Sequence, residues 1–413
     1  MNYSEIVPLP RPLPSPSPAD RAAMPRPADQ FMWNDAQKLV AHRNMHHLFP
    51  SHVVKAGDAV RAPPRRDEGA LVAALARSGV DVDAYMAAAE ATGLLVLRHG
   101  EIVLERYARG NDETTVWASR SMAKSVTSLL VGTAVRDGQL ASVDDPVVRY
   151  VPALAGTHYD GVSVRHCLQM TSGVAWSEDY TDRASDVARL QLCTVQGRKG
   201  AFLDLLRDLG RRRDRPANVP GTVFNYCSAD TVLLGLVLER ALGHTAPVQL
   251  EREVWRRAGM EGDAAWNLEA DGGSAFTASG IGATLRDYGR LGLIALADGV
   301  LPDGTRLVPE GWMAESTVPS RASIAAGTPY GFQWWLHEQD GVVSGKMGAG
   351  DARLRGGRTV FYAIGNAGQA ILVNPAEDTV VVKWAVWGAP SQFETRRAQD
   401  RAFFAAVMEA VGG

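Results

Sequence analysis

The sequence predicts a mixed α/β fold in which one α/β domain is interrupted by a mostly helical insertion. Apolar, strand-like segments lie towards both ends of the chain, at residues 94–107 and 330–386, whereas residues 125–270 follow a helical period broken by Gly and Pro. No internal repeat is present in the sequence. With 413 residues, 46% of them hydrophobic, the chain can bury a large core divided between two structural units.

Residues 1–62 are expected to form a proline-rich arm and a segment that packs it onto the body. Residues 1–28 hold eight of the 22 prolines, a composition that can neither form a helix nor bury a core, so we expect a flexible or polyproline arm. This arm lacks the basic start and continuous apolar run of a secretory signal, and no later stretch reaches the roughly 18–20 apolar residues that span a membrane. We therefore expect a cytoplasmic protein.

The α/β domain is expected to comprise residues 63–122 and 271–413. Its first part contains a helical pattern from Leu71 to Ala89 and a hairpin around the His99-Gly100 turn. Its second part is expected to hold a helix, four strands and a closing helix at residues 285–297, 330–335, 359–364, 370–373, 379–386 and 395–411.

The mostly helical domain is expected to cover residues 123–270. Within it, one short helix is stopped by Gly173, and a second covers Phe202 to Leu209. A strongly apolar helix from Thr231 to Leu242 ends at Gly243.

Charge and cysteine content exclude several classes of function. The net charge of -3 and the pI near 6.3 give no electrostatic reason to expect nucleic acid or an anionic membrane as partner. Three cysteines make no disulfide framework, and the histidines and cysteines show no metal-binding spacing. We expect no metal and no organic cofactor, and the oligomeric state is left open.

The motif that points most directly to chemistry is a single Ser-x-x-Lys, formed by Ser121 and Lys124. Ser121 is a good N-cap for the helix that follows, and residues three apart share a helical face, so the two side chains should be neighbours. A lysine that desolvation keeps neutral can take the proton of a serine hydroxyl and make it a nucleophile. With 22 serines and six lysines, about a third of one such match is expected by chance, so a capping serine followed by a solvated lysine also fits.

Tyr226 is the best candidate for a third group that passes a proton to the leaving group. It lies in a short extended segment after the Pro220-Gly221 turn. A phenol can act as acid or base if a nearby ammonium lowers its pKa. An aromatic side chain that packs beside a helix start is the structural alternative.

Several motifs in one order resemble the β-lactamase-related serine hydrolases, a group that includes class C β-lactamases, D-alanyl-D-alanine peptidases, family VIII esterases and 6-aminohexanoate-dimer hydrolases. After Ser-x-x-Lys come Met170-Thr171-Ser172-Gly173, Pro220-Gly221, Tyr226-x-Ser228 and Leu233-Leu234-Gly235. The pattern of the 6-aminohexanoate-dimer hydrolases is echoed by Tyr150-Val151-Pro152, Tyr159-Asp160-Gly161, Glu178-Asp179-Tyr180 and Gly365-x-x-Gly368-Gln369. The resemblance covers residues 90–390 and implies a β-lactamase/transpeptidase-like fold, with an antiparallel sheet flanked by helices.

The resemblance also implies roles for individual residues. Ser121 would be the acylated nucleophile, Lys124 its base and Tyr226 the proton shuttle. The oxyanion would lie between the backbone N–H groups of Ser121 and Asn366. For substrate binding, Tyr180 would line the pocket near the leaving group, and Ser228 would stand at the third position of the Tyr-x-Asn motif.

Two departures from the family pattern bear on the substrate. β-Lactamases and peptidases of this group carry Lys-Thr-Gly or His-Thr-Gly where Ala363-Ile364-Gly365 stands here, and an asparagine where Ser228 stands. A substrate carboxylate and a lactam amide would each lose a partner. We therefore expect a serine hydrolase of small esters or linear amides; a weak β-lactamase, a D-amino peptidase or a non-catalytic binding protein of the same fold are the alternatives.

Overall fold

A computed structural model describes residues 5–7, 10–212, 214, 217–336, 360–388 and 393–412. Its strands, in chain order, are β1 (Glu5–Val7), β2 (Ser51–Val54), β3 (Val60–Ala62), β4 (Ala91–Arg98), β5 (Glu101–Tyr107), β6 (Trp117–Ala118), β7 (Ala264–Asn267), β8 (Ile281–Ala283), β9 (Trp335–Leu336), β10 (Phe361–Gly365), β11 (Gln369–Asn374) and β12 (Thr379–Ala385). Thr359, the predicted first residue of a strand, lies outside the described residues.

The helices, in chain order, are α1 (Pro18–Ala22), α2 (Asp35–Arg43), α3 (Met45–Leu48), α4 (Gly69–Arg77), α5 (Val82–Ala88), α6 (Met122–Arg136), α7 (Val164–Leu168), α8 (Asp186–Cys193), α9 (Ala201–Arg211), α10 (Ser228–Leu242), α11 (Ala246–Gln249), α12 (Leu285–Leu296), α13 (Trp312–Ser316), α14 (Arg321–Ala325) and α15 (Phe393–Gly412). Across the described residues, none of these helices has both the length and the apolar character that crossing a bilayer requires.

The largest sheet confirms the predicted antiparallel architecture. Its described strands follow the order β5-β4-β12-β11-β10-β9, and every neighbouring pair is antiparallel. Successive residues of β12 face opposite sides, so Val380 and Val382 join one core cluster while Val381 joins another. Helix α12 covers the first face, and α4, α5 and α15 cover the second. Because both faces are buried, these strands are continuous apolar runs in the sequence.

Helix α6 lies inside the larger core. Its residues 122–134 are all buried, and it contacts α10 as well as β10. The end of β10 comes unusually close to the residues ahead of α6: a Cβ on Gly365 would be 2.5 Å from the Ser119 carbonyl oxygen. Only glycine permits this approach, which brings the end of the sheet to the start of the helix.

A smaller sheet crosses the predicted domain limits. Its described strands follow the order β2-β7-β8-β6. Strand β2 belongs to the predicted N-terminal segment and β7 to the predicted helical domain, whereas β6 and β8 belong to the predicted α/β domain. The division into domains stays a prediction, with limits at residues 62 and 270 that cut through this sheet.

Two elements differ from the predicted pattern. The helix predicted from Leu71 to Ala89 is broken into α4 and α5, because Gly79 adopts a φ of 77° and Asp81 caps a new helix by accepting the Ala84 N–H. The strand predicted at residues 330–335 is reduced to β9. Gln333 interrupts it with a φ of 63°, which extended backbone does not allow.

The proline-rich arm also differs from the prediction, because it forms a short helix and docks on the body. Ser17 caps α1 by accepting the Asp20 N–H, and the proline at its first position fits there because that N–H needs no partner. The buried Asp20 accepts a bidentate pair from Arg43 at 2.8 and 3.1 Å and a hydrogen bond from Asn44 at 2.9 Å. Backbone hydrogen bonds also hold the arm: the Arg11 N–H donates to the Glu261 carbonyl at 2.9 Å, and the Arg11 carbonyl accepts the Asp263 N–H at 2.8 Å.

Candidate active site

Ser121 is positioned by the short strand that precedes it. Strand β6 pairs with β8, and Ser119 continues that pairing: its N–H donates to the Ile281 carbonyl at 2.7 Å and its hydroxyl accepts the Ile281 N–H at 3.2 Å. Arg120 then turns the chain with a left-handed φ of 48°, which costs a non-glycine residue about 1–3 kcal/mol. Ser121 follows at the N-cap of α6. Its hydroxyl makes no capping hydrogen bond, contrary to the expected cap, and faces Lys124 instead.

Lys124 lies directly against the Ser121 hydroxyl. Its Nζ donates to Ser121 Oγ at 3.0 Å and to the Ala278 carbonyl at 2.9 Å. The side chain is only 1% exposed. Burial lowers the pKa of the Lys124 ammonium to about 8, against the opposing effects of the Glu178 carboxylate and the Cys227 thiol. A useful fraction of this amine is therefore neutral close to neutral pH.

Tyr226 completes the group. Tyr226 and Ser121 line the same cavity, and Lys124 Nζ lies 5.0 Å from the Tyr226 ring centroid. Two backbone hydrogen bonds to Met170 hold this segment: its carbonyl accepts the Asn225 N–H at 3.0 Å, and its sulfur accepts the Cys227 N–H at 3.3 Å.

The protonation of Tyr226 differs from the expectation of an ammonium-lowered pKa. Burial, and then the Glu178 carboxylate, hold the pKa of the Tyr226 phenol above its usual range, although the nearby Ser121 side chain lowers it in part. The phenol is thus neutral and suited to give a proton rather than to take one.

Glu178 is a central polar group that sequence reasoning did not assign to the site. Its carboxylate accepts hydrogen bonds from Trp176 Nε1 at 2.6 Å, the Tyr180 hydroxyl at 2.7 Å, the Ser228 hydroxyl at 2.6 Å and the Ser228 N–H at 3.1 Å. The Glu178-Asp179-Tyr180 triplet is the available signal in the sequence, but the residues that Glu178 joins lie up to 50 positions from it.

The two predicted substrate-binding residues differ in position. Tyr180 is half-buried and lines the cavity beside Ser121. Ser228 is 3% exposed and its hydroxyl donates to Glu178, so it supports that carboxylate from behind.

The predicted oxyanion donors are both free within the described structure. Neither the Ser121 N–H nor the Asn366 N–H donates to another described residue. Asn366 directly follows β10, and its own side chain is engaged, because Oδ1 accepts the Ala367 N–H at 2.7 Å. The close approach at Gly365 brings the two donors to one cavity, as the position of an oxyanion hole requires.

A cavity of about 380 Å³ opens beside Ser121. Its walls include Tyr180, Tyr226, Trp335 and Ile364, and Trp335 stacks on Tyr226 with 5.1 Å between the ring centroids. This size and apolar lining suit a small organic substrate. No cluster of three histidine, cysteine, aspartate or glutamate side chains that could hold a metal ion occurs in the described ranges.

Fold, buried Ser-Lys pair and adjoining cavity together define a serine hydrolase. More particularly, the chain belongs to the Beta-lactamase family, whose pattern it matches over residues 81–406. The 6-aminohexanoate-dimer hydrolase of Paenarthrobacter ureafaciens is 31% identical to it over an alignment of 316 residues, with coverage of 72% of this chain and 72% of the relative.

Solved structures show the same fold at low sequence identity. A protein of Bacillus anthracis, named as a candidate 6-aminohexanoate-dimer hydrolase, superposes with a TM-score of 0.74 at 18% identity, over 95% of this chain and 98% of the other. A class C beta-lactamase mutant superposes with a TM-score of 0.57 at 17% identity, over 81% of this chain and 98% of the other. The predicted family and fold are confirmed.

Proposed function

We propose that this protein hydrolyses small carboxylic esters or linear amides through an acyl-enzyme formed on Ser121. The observation that carries the proposal is the 3.0 Å contact between Ser121 Oγ and a lysine amine whose pKa burial lowers to about 8. A solvated lysine, the structural alternative, would keep its ordinary pKa and could not serve as a base near neutral pH.

In the first half-reaction, neutral Lys124 accepts the hydroxyl proton while Ser121 Oγ attacks the substrate carbonyl carbon. The negative charge that develops on the carbonyl oxygen is held by the free N–H groups of Ser121 and Asn366. Collapse of this intermediate breaks the bond to the leaving alcohol or amine, which takes a proton from the Tyr226 phenol. The ammonium formed on Lys124 then balances the charge left on Tyr226.

In the second half-reaction, water attacks the acyl-enzyme. The same groups act in reverse order: the Tyr226 phenolate takes a proton from the attacking water, and the Lys124 ammonium returns a proton to Ser121 Oγ as the carboxylic acid departs. No step needs a metal or an organic cofactor.

Two features favour esters and linear amides over β-lactams and peptides. Ala363 provides no cation on the strand beside the site, and the Ser228 hydroxyl is already bonded to Glu178. The 6-aminohexanoate-dimer hydrolase relative, whose name specifies a linear amide substrate, supports the amide branch of the proposal.

The experiment that tests the nucleophile is intact-protein mass spectrometry after incubation with a fluorophosphonate. We expect one adduct on the wild type, none on Ser121→Ala, and much slower formation on Lys124→Ala. Ser125→Ala is the matched control, because Ser125 lies on the same helix with its hydroxyl bonded to the Gln333 carbonyl at 2.7 Å. No adduct on folded wild type would instead favour a non-catalytic binding protein.

Substrate class is tested separately with short-chain 4-nitrophenyl esters, the 6-aminohexanoate dimer, a chromogenic cephalosporin and D-amino acid amides. The proposal expects turnover of an ester or of the dimer that exceeds turnover of the lactam. Preferential lactam hydrolysis would favour the β-lactamase alternative, and preference for D-amino acid amides would favour the peptidase alternative.

A further inference from the structure

A second, much smaller cavity also borders Ser121. Its volume is about 30 Å³, and it shares Ser121, Tyr180 and Asn366 with the large cavity. Its remaining walls include Arg120 and Gln191. The nucleophile and the proposed oxyanion donors therefore stand between two compartments of unequal size.

The unequal compartments suggest which part of a substrate each one takes. Tyr226, the proposed proton donor to the leaving group, lines the large cavity together with its stacking partner Trp335. The leaving group must approach this phenol, which places it in the large cavity. The acyl part then points towards the small cavity, which has room for two or three non-hydrogen atoms and so for one carboxylate group, since one water needs about 10–15 Å³.

Arg120 brings a positive charge to the small cavity without an acidic partner. Its Nε and one Nη lie 2.9 and 2.8 Å from His42 Nε2. Burial, followed by the charges of Arg120 and Lys38, keeps the pKa of His42 well below its usual range, so this ring is a neutral acceptor.

A buried arginine elsewhere in this chain is neutralised. Arg290, which is 1% exposed, pairs with Asp287 at 3.0 Å and with Glu261 at 2.8 Å. For Arg120, no carboxylate of the described residues forms an ion pair, and its other N–H groups have no acceptor among them. A guanidinium with these contacts keeps unpaired hydrogen-bond donors and an unbalanced positive charge until an anion binds.

We propose that Arg120 binds a carboxylate carried by the acyl part of the substrate, an inference that rests on the proposed function. The preferred substrates are then half-esters or half-amides of short dicarboxylic acids, in which one carboxyl group is free and the other is esterified or amidated. A planar carboxylate matches the remaining donors of the guanidinium, and no acidic side chain among the described residues lines the small cavity to repel it. Arg120 would thus determine specificity without taking part in proton transfer.

The test compares the monoethyl esters of malonic, succinic and glutaric acid with ethyl levulinate, a neutral analogue of monoethyl succinate with the same leaving group. Ethanol release gives kcat/KM for each. On the wild type, the best half-ester should exceed ethyl levulinate by about 10- to 100-fold, the range expected for hydrogen bonds to a charged group. In Arg120→Gln this ratio should fall towards one, mainly through KM, and Arg120→Lys should recover part of it.

Controls separate this inference from the proposed function. Arg198→Gln, which removes an arginine whose side chain is 53% exposed, should leave the ratio unchanged. Formation of the fluorophosphonate adduct by Arg120→Gln shows that the variant is folded with its nucleophile intact. A wild type that hydrolyses ethyl levulinate as well as every half-ester overturns the inference and leaves the esterase proposal standing, whereas hydrolysis of none of them, with no adduct, overturns both.

One further probe tests the direction of binding. O-butyrylglycolate carries its carboxylate on the alcohol, and ethyl butyrate is its neutral counterpart. An Arg120-dependent preference for O-butyrylglycolate, with none for the half-esters, would place the anion on the leaving-group side and contradict the proposal.

Discussion

At the residue scale, the state of Lys124 determines how activity depends on pH. Acylation requires the neutral amine, and burial lowers the pKa of Lys124 to about 8. We therefore expect kcat/KM for a 4-nitrophenyl ester to rise about tenfold per pH unit below pH 8 and to level off above it. Stopped-flow assays between pH 5.5 and 9.5 provide the profile. An activity that is flat across this range would mean that Lys124 is not the base.

Glu178 should shift this profile because its carboxylate favours the charged form of Lys124. In Glu178→Gln, loss of the negative charge lowers the pKa of Lys124 further, so the rising limb of kcat/KM should move to lower pH. Asp179→Asn, which removes a neighbouring but exposed carboxylate, is the matched control and should leave the limb in place. A limb that moves to higher pH in Glu178→Gln would contradict the assigned interaction.

Which residues of the site can be predicted depends on how far apart in the sequence the contacting residues are. Ser121 and Lys124 are one helical turn apart, so local geometry alone makes them neighbours. Glu178 bonds to Ser228 across 50 positions, and Arg120 meets His42 across 78, contacts that only tertiary packing creates. The resemblance to the family supplied Asn366 and strengthened the assignment of Tyr226, which a turn and a short extended segment alone indicate only weakly.

At the scale of elements, the approach of β10 to the start of α6 controls the proposed oxyanion hole. In Gly365→Ala the new methyl group would lie 2.5 Å from the Ser119 carbonyl oxygen, so the strand or the turn must move. A displacement near 1 Å at the reacting centre costs about 100-fold in kcat. We expect that loss in ester hydrolysis, together with a lower melting temperature.

Gly161→Ala is the control for this substitution. Its added methyl group would meet only Pro220 Cγ, at an ordinary 3.7 Å, away from the site. Both kcat and melting temperature should stay close to those of the wild type. Equal activities in the two variants would show that the close approach is not needed for catalysis.

The limits of a helix or strand follow closely from the sequence where a long hydrophobic pattern is buried in one environment. Helices α10 and α12 and strands β11 and β12 lie within a few residues of their predicted limits. Strands β6, β7 and β8 were not predicted, because each has only two to four residues, too few to establish a period. Strand β6 pairs with β8, and β7 with β2, across more than a hundred residues of the chain.

At the scale of the whole molecule, the N-terminal arm depends on Asp20. Asp20→Ala would leave Arg43 and Asn44 without their shared acceptor inside the interface between arm and body. We expect a loss of about 1–3 kcal/mol in the stability of arm docking, visible as faster amide hydrogen exchange in residues 10–30. Asp29→Ala is the control, because its pair with Arg26 is long, at 3.9 Å, and exposed, so exchange should not change. Unchanged exchange in Asp20→Ala would show that the arm is held by other contacts.

The reacting groups and part of the wall of the small cavity come from different regions of the chain. Gln30, Met45 and Phe49 help to enclose the small cavity, yet they precede residue 81, where the match to the family begins. Substitutions in this leading stretch can therefore alter which acyl chains are accepted while the reacting groups stay untouched. A comparison of relatives over the shared region alone would group enzymes that catalyse one reaction on different substrates. The leading stretch is the part to compare when their substrate preferences are to be distinguished.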